Sequence, residues 1–185
     1  YGPARLPSGA YLSWISDEER GFPYAEAAAL SVGAACWLYG HNRDDALLDR
    51  VIPSLEYLSD CVGDDGLVWH RGTGYLFDTV LALRAFEAAH KLGVPGKYIA
   101  LQEPMTAAAY DLIARREGAV CAHEKRWSTT FSPHLLKPLA ALAGGPSLGS
   151  EQARILIPAI RDLMESQDED GAFSRDGEGR AYLHA

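Results

Sequence analysis

Four ionisable side chains stand at matching places in this sequence. Glu26, Asp78, His134 and His184 lie 17, 12, 16 and 13 residues after Gly9, Gly66, Gly118 and Gly171. Each opens a run that reads as a helix, so each falls in a first helical turn. The exposed N–H groups of such a turn favour a carboxylate as its anion and a histidine in its neutral form. A neutral imidazole beside an ionised carboxylate is a workable acid–base pair, and a pair of carboxylates is what glycoside hydrolysis uses. Helix-dipole partners and structural histidines occupy such positions as well. The phase common to all four favours chemistry.

An arginine precedes each of these groups: Arg20, Arg71, Arg126 and Arg180. Between or beside them stand Phe22 and Tyr24, Tyr75 and Phe77, Trp127 and Phe131, and Tyr182, while Trp14, Trp69, His70 and His123 lie in the adjoining loops. Guanidinium groups offer a planar fork to carboxylates, and rings offer flat faces for stacking. Together they suit an oligosaccharide or another small molecule, including one bearing uronates. The plainer alternative pairs these arginines with the loop acids Asp17, Asp64, Asp65, Asp170 and Asp176.

No cofactor or metal site is expected. Cys121-Ala122-His123 has no second ligand pair at zinc spacing. Gly145-Pro146-Ser147-Leu148-Gly149 fits the letters of a nucleophile elbow, but it joins two helical runs where a strand is needed, so it reads as a turn. Cys36, Cys61 and Cys121 are few, odd in number and widely spaced, which predicts reduced thiols.

The elements that position these groups repeat. From Gly171 back to Gly118 is 53 residues, then 52 to Gly66 and 57 to Gly9, while Pro53, Pro104 and Pro158 keep pace 13 or 14 residues before Gly66, Gly118 and Gly171. A period near 50 with no strand-like alternation predicts a pair of helices per unit, stacked on its neighbours. Residues 1–185 then form one helical-repeat domain with units at about 9–65, 66–117 and 118–170 and the start of a fourth at 171–185. Residues 1–21 read as loop. Inner helices are predicted over Tyr24–Tyr39, Tyr75–Lys91 and Ser132–Leu142, and outer ones over Asp45–Asp60, Lys97–Arg116 and Ser150–Ser166, with Pro53 kinking the first outer helix or marking a broken start and Pro138 interrupting the third inner one. The first inner helix is apolar almost all round and should be covered on every side.

A net charge of -8 argues against a partner with a phosphate backbone. The most apolar run, Phe22 to Tyr39, is short for a membrane span and contains Glu26, so no span is expected and a cytoplasmic location is the default reading. No leader is visible before Tyr1. A helix that starts at the last residues predicts further repeats, or another chain, completing the array.

Alternating inner and outer helices with Gln167, Gly171 and Phe173 at the turn resemble the α/α-toroid superfamily, which includes squalene-cyclase and prenyltransferase repeat proteins, six-hairpin glycosidases, uronate lyases and the N-acylglucosamine 2-epimerase group. Phe173 replaces the usual Trp of that motif, and Val62 and Ala114 stand where other copies would carry Gln. The resemblance implies an all-α toroid whose inner-helix first turns meet around one cavity. The acid motif of class II terpene cyclases and the zinc pattern of protein prenyltransferases are both absent. The leading expectation is a carbohydrate-active enzyme of glycoside hydrolase, uronate lyase or sugar epimerase type. Glu26, Asp78, His134 and His184 would be its catalytic groups, and Arg20, Tyr24, Trp69, His70, Arg71, Tyr75, Arg126, Trp127, Arg180 and Tyr182 its substrate-binding ones. A terpenoid cyclase or prenyltransferase relative is the second reading, and a non-catalytic helical-repeat binding module the third.

Overall fold

In the computed structural model, the described residues are 4–16, 21–122, 126–146, 148–167, 169 and 173. Six α-helices run through them: α1 (Ala25–Asn42), α2 (Asp45–Asp60), α3 (Leu76–Lys91), α4 (Gln102–Arg115), α5 (Leu136–Ala143) and α6 (Ser150–Met164). Helices α1, α3 and α5 pack side by side in one layer, and each also packs on the helix that follows it, with α4 and α6 in mutual contact behind. The central helix α3 is the most deeply covered. Its Leu76, Val80, Leu83 and Phe86 are wholly buried, and Phe86 stacks on Tyr98 at 5.2 Å between centroids.

The glycine and proline landmarks meet in space, although the partners are not those nearest in sequence order. Gly9 and Gly66 take positive φ angles, +84° and +80°, and a Cβ on them would lie 2.1 Å from the Pro53 carbonyl oxygen and 2.5 Å from that of Pro104. Each loop thus closes onto the second helix after it, α2 for Gly9 and α4 for Gly66, which only glycine permits at that distance and angle. The Ser54 hydroxyl adds a 2.7 Å hydrogen bond to the Gly9 carbonyl. Gly118 is used differently, pressed against the Thr130 carbonyl at 2.4 Å for an added Cβ.

Proline placement explains the helix boundaries. Pro53 and Pro158 sit inside α2 and α6, which continue through them. Pro104 falls at the third position of α4, where a missing N–H leaves no intrahelical bond unmade, and Lys97–Ile99 forms a separate 3₁₀ turn. Pro138 likewise sits at the third position of α5, which begins late because Pro133–Leu135 is a 3₁₀ turn. Asp44 caps α2 by accepting from the Ala46 N–H at 3.1 Å.

Two expectations need correction. The chain is not all-α: among the described residues five short strands form two antiparallel sheets, β1 (Tyr11–Leu12) with β2 (Pro23–Tyr24), and β3 (Val68–His70), β4 (Thr73–Tyr75) and β5 (Ala119–Val120) with β4 in the middle. The loop before α3 is extended because β-branched and aromatic residues flank a two-residue turn, Arg71-Gly72, with φ of 49° and 77°. That is the hairpin arrangement whose twist matches paired strands. Secondly, α1 is not covered on all sides. Its Ala25, Ala28, Ala29, Val32 and Cys36 are buried, whereas Leu30 and Trp37 are 47% and 64% exposed. The three cysteines are free thiols. No helix among the described residues is long and apolar enough to cross a membrane.

Candidate functional site

The strands deliver the helices' first turns to one place. Strand β2 runs straight into α1, so Tyr24 is its N-cap and Glu26 lies in its first turn, and β4 runs into α3 in the same way, with Tyr75 as N-cap and Asp78 in the turn. The start of α3 is pinned from both sides. The Thr79 hydroxyl donates to the Tyr75 carbonyl at 2.6 Å and accepts from the Val68 N–H at 2.8 Å, while the Leu76 N–H reaches the Gly118 carbonyl at 3.0 Å. Before α5, the Pro133–Leu135 turn presents His134.

These turns enclose a cavity of about 900 Å³. Glu26, Asp78 and His134, three of the four acid–base candidates, line it together. So do Tyr24, His70, Arg71, Tyr75, Arg126 and Trp127 from the substrate-binding set. Trp69 does not. Its indole N–H is bonded to Asp65 at 2.9 Å and its ring packs against Gly63. Arg20, Arg180, Tyr182 and His184 lie outside the described residues, as do His123, Ser147 and Gly171.

Burial dominates the electrostatics. Asp78 is 5% exposed, and loss of water, reinforced by the charge of Glu26, pushes its carboxyl up from 3.8 to about 7. The helix N-terminus, expected to favour the anion, is outweighed. Burial also holds the Tyr24 phenol far above its ordinary value, with the charge of Asp78 and a hydrogen bond to Glu26 adding to it. Glu26 has a cation beside it, the Lys137 ammonium at 3.6 Å. His134 is neutral, as the helix-start argument anticipated, but the cause is burial, which lowers it to about 4. Its Nδ1 meets the Ser132 hydroxyl at 2.8 Å, and its Nε2 is shielded from solvent with no hydrogen-bond partner among the described residues. Phe77 stacks on the imidazole at 6.1 Å and Trp127 meets it edge-on at 4.9 Å.

Another part of the lining is a stack. The Phe22 ring lies on His70 at 4.9 Å with 25° between planes, and the Arg71 guanidinium carbon sits 4.7 Å from the Phe22 centroid. Burial, followed by the Arg71 charge, lowers the His70 pKa. Trp14, half exposed, meets Phe22 edge-on at 5.4 Å.

No family model matches this chain. No curated protein matches it either. Among solved structures, the polysaccharide lyase BACCELL_00875 resembles it in fold, with a TM-score of 0.55 and 13% identity over 88% of this chain and 55% of that one. The chain therefore spans about half the length of that protein, and at this identity the likeness is one of fold.

Reading by residue type passed over Lys137, which lines the cavity three positions after His134, on the same face of the helix start. That spacing was its available signal. Thr73, Ser128 and Thr129 also line the cavity, and nothing in their types or spacing singles them out. Among the described residues no group of three or more His, Cys, Asp or Glu is placed to hold a metal ion.

Proposed function

We propose that this chain carries the cavity of a carbohydrate-active enzyme that cleaves a glycosidic linkage by proton transfer, with Asp78 as the proton donor. The observation that carries this reading is Asp78: a buried carboxyl that keeps its proton to about pH 7, on the wall of a cavity it shares with Glu26 and His134. Paired acids whose surroundings push their protonation apart are the arrangement that glycoside cleavage uses. Asp78 delivers its proton to the leaving glycosidic oxygen while a water molecule, giving a proton to a second carboxylate, adds to the anomeric carbon. Glu26, beside Lys137, is the second carboxylate, and the exposed Trp127 offers a ring face for the sugar. The fold neighbour, a polysaccharide lyase, supports a carbohydrate substrate.

A specific observation favours a second course, elimination. The unpartnered Nε2 of neutral His134 is a proton acceptor within the same cavity once Nδ1 carries the ring proton toward Ser132. The products separate the two: elimination leaves an ultraviolet-absorbing unsaturated sugar, and hydrolysis leaves only new reducing ends. The test incubates the purified chain with a panel of neutral and acidic polysaccharides and follows both signals, alongside Asp78→Asn and His134→Ala variants whose folding is checked by circular dichroism. Turnover by the parent that both variants retain unchanged removes this site.

A further inference from the structure

We propose that Arg71 is the specificity-determining residue of this cavity and selects a glycan bearing an anionic oxygen pair, as a sugar carboxylate or a sulfate ester presents. This deepens the glycan-cleaving reading and rests on it.

Two observations meet at this residue. The first is its backbone. The β3–β4 register pairs His70 with Thr73 and leaves Arg71 and Gly72 as the whole of the loop, both at positive φ, 49° and 77°. Turns of this kind favour Asn, Asp or Gly at the first position, and a long side chain there works against its local preference. Strain of that sort persists where the surroundings hold it and function uses it. The second is what the guanidinium touches. It rests on the Phe22 ring at 4.7 Å, and among the described residues no carboxylate pairs with it. In a chain of net charge -8, acids to pair with are plentiful. The cavity's Lys137 is already committed to Glu26. A ring supports the Arg71 fork from one face and leaves its N–H edge for an acceptor entering the cavity. Planar guanidinium edges bind paired oxygens through two parallel hydrogen bonds, which a lysine cannot reproduce.

The test measures binding apart from turnover. Affinities of the Asp78→Asn chain are determined by calorimetry for oligogalacturonate, its carboxyl-reduced uncharged form, sulfated dextran oligomers and plain dextran oligomers. The expected result is that at least one charged probe binds about tenfold or more tighter than its neutral counterpart, and that adding R71Q erases the preference. The carboxylated and sulfated arms tell the two anion sources apart. In the parent chain, R71N raises the melting temperature because asparagine suits the turn, and this stability gain separates a binding role from a structural one. Equal binding of charged and neutral probes, binding of none, a preference that survives R71Q, or an R71N chain less stable than the parent overturns the proposal. Cleavage without a charge preference would sink it and spare the glycan-cleaving reading, whereas a charge preference without cleavage of any polysaccharide does the reverse.

Discussion

The first turns of α1 and α3 carry the same kind of group and treat it in opposite ways. Glu26, the second residue of α1, has a side chain 22% exposed and an ammonium 3.6 Å away. Asp78, the third residue of α3, is buried, with no ion-pair partner among the described residues. The reason lies in the layer. Helix α3 packs between α1 and α5, and the strands β3, β4 and β5 close over its start, whereas α1 is flanked by α3 on one side only. A helix N-terminus favours an anion by about 1 kcal/mol or less at exposed sites, and full burial of a carboxyl costs several times that. Burial decides which of two similar acids keeps its proton.

The strongest check on this contrast is Asp78→Asn. It removes a general acid, and turnover should fall about 10²- to 10⁴-fold. Stability should move the other way above neutral pH. The folded pKa of about 7 lies above 3.8, so the contribution of Asp78 to stability is full below about pH 4 and is lost as pH rises through about 7. An amide escapes that loss. Urea denaturation at pH 8 should show the variant more stable by on the order of 2–4 kcal/mol, with the difference vanishing near pH 4. Equal stability at both values would mean that Asp78 is ionised at neutral pH.

His134→Ala comes next, with turnover reduced about 10²-fold. Its stability signature has the opposite sign. A folded pKa of about 4, below 6.5, means that His134 contributes stability above pH 6.5 and loses it as pH falls through 4. The variant's deficit relative to the parent should shrink between those values in acid-denaturation curves, and a constant deficit would show that the imidazole is not held neutral.

Glu26→Gln probes the smaller part of the Asp78 shift, since the Glu26 charge is the second cause after burial. Carbon-13 titration of the Asp78 carboxyl should show its midpoint moving down, yet remaining well above 3.8. A return to the ordinary value would make charge, not burial, the dominant cause. Lys137→Met is expected to do least, about 0.5 kcal/mol in thermal denaturation, because half-exposed ion pairs stabilise weakly.

Much of the fold could be read from residue pattern. The α2 span, Asp45–Asp60, follows from the helical spacing of Leu47, Val51, Leu55 and Leu58. Helical periodicity is local and survives any tertiary setting. The strands escaped because two- and three-residue segments have too little alternation to register, and the β4–β5 pairing joins partners such as Gly74 and Val120 that are far apart in sequence. The exposed side of α1 escaped for a related reason: apolarity tells that a face prefers cover, not whether a neighbour supplies it.

The candidate site divides along the same line. That Glu26 and Asp78 occupy first helical turns and that His134 stands just before α5 is a matter of spacing, and spacing is written in the chain. Which of them is protonated is not, because desolvation depends on every atom packed around a carboxyl or an imidazole. The stacking of Arg71 on Phe22 belongs to the same class, since it joins residues 49 positions apart whose meeting requires both β-hairpins to be in place. Local periodicity put the ionisable groups at the helix starts. Their burial, charge and partners came from the packing of the layers.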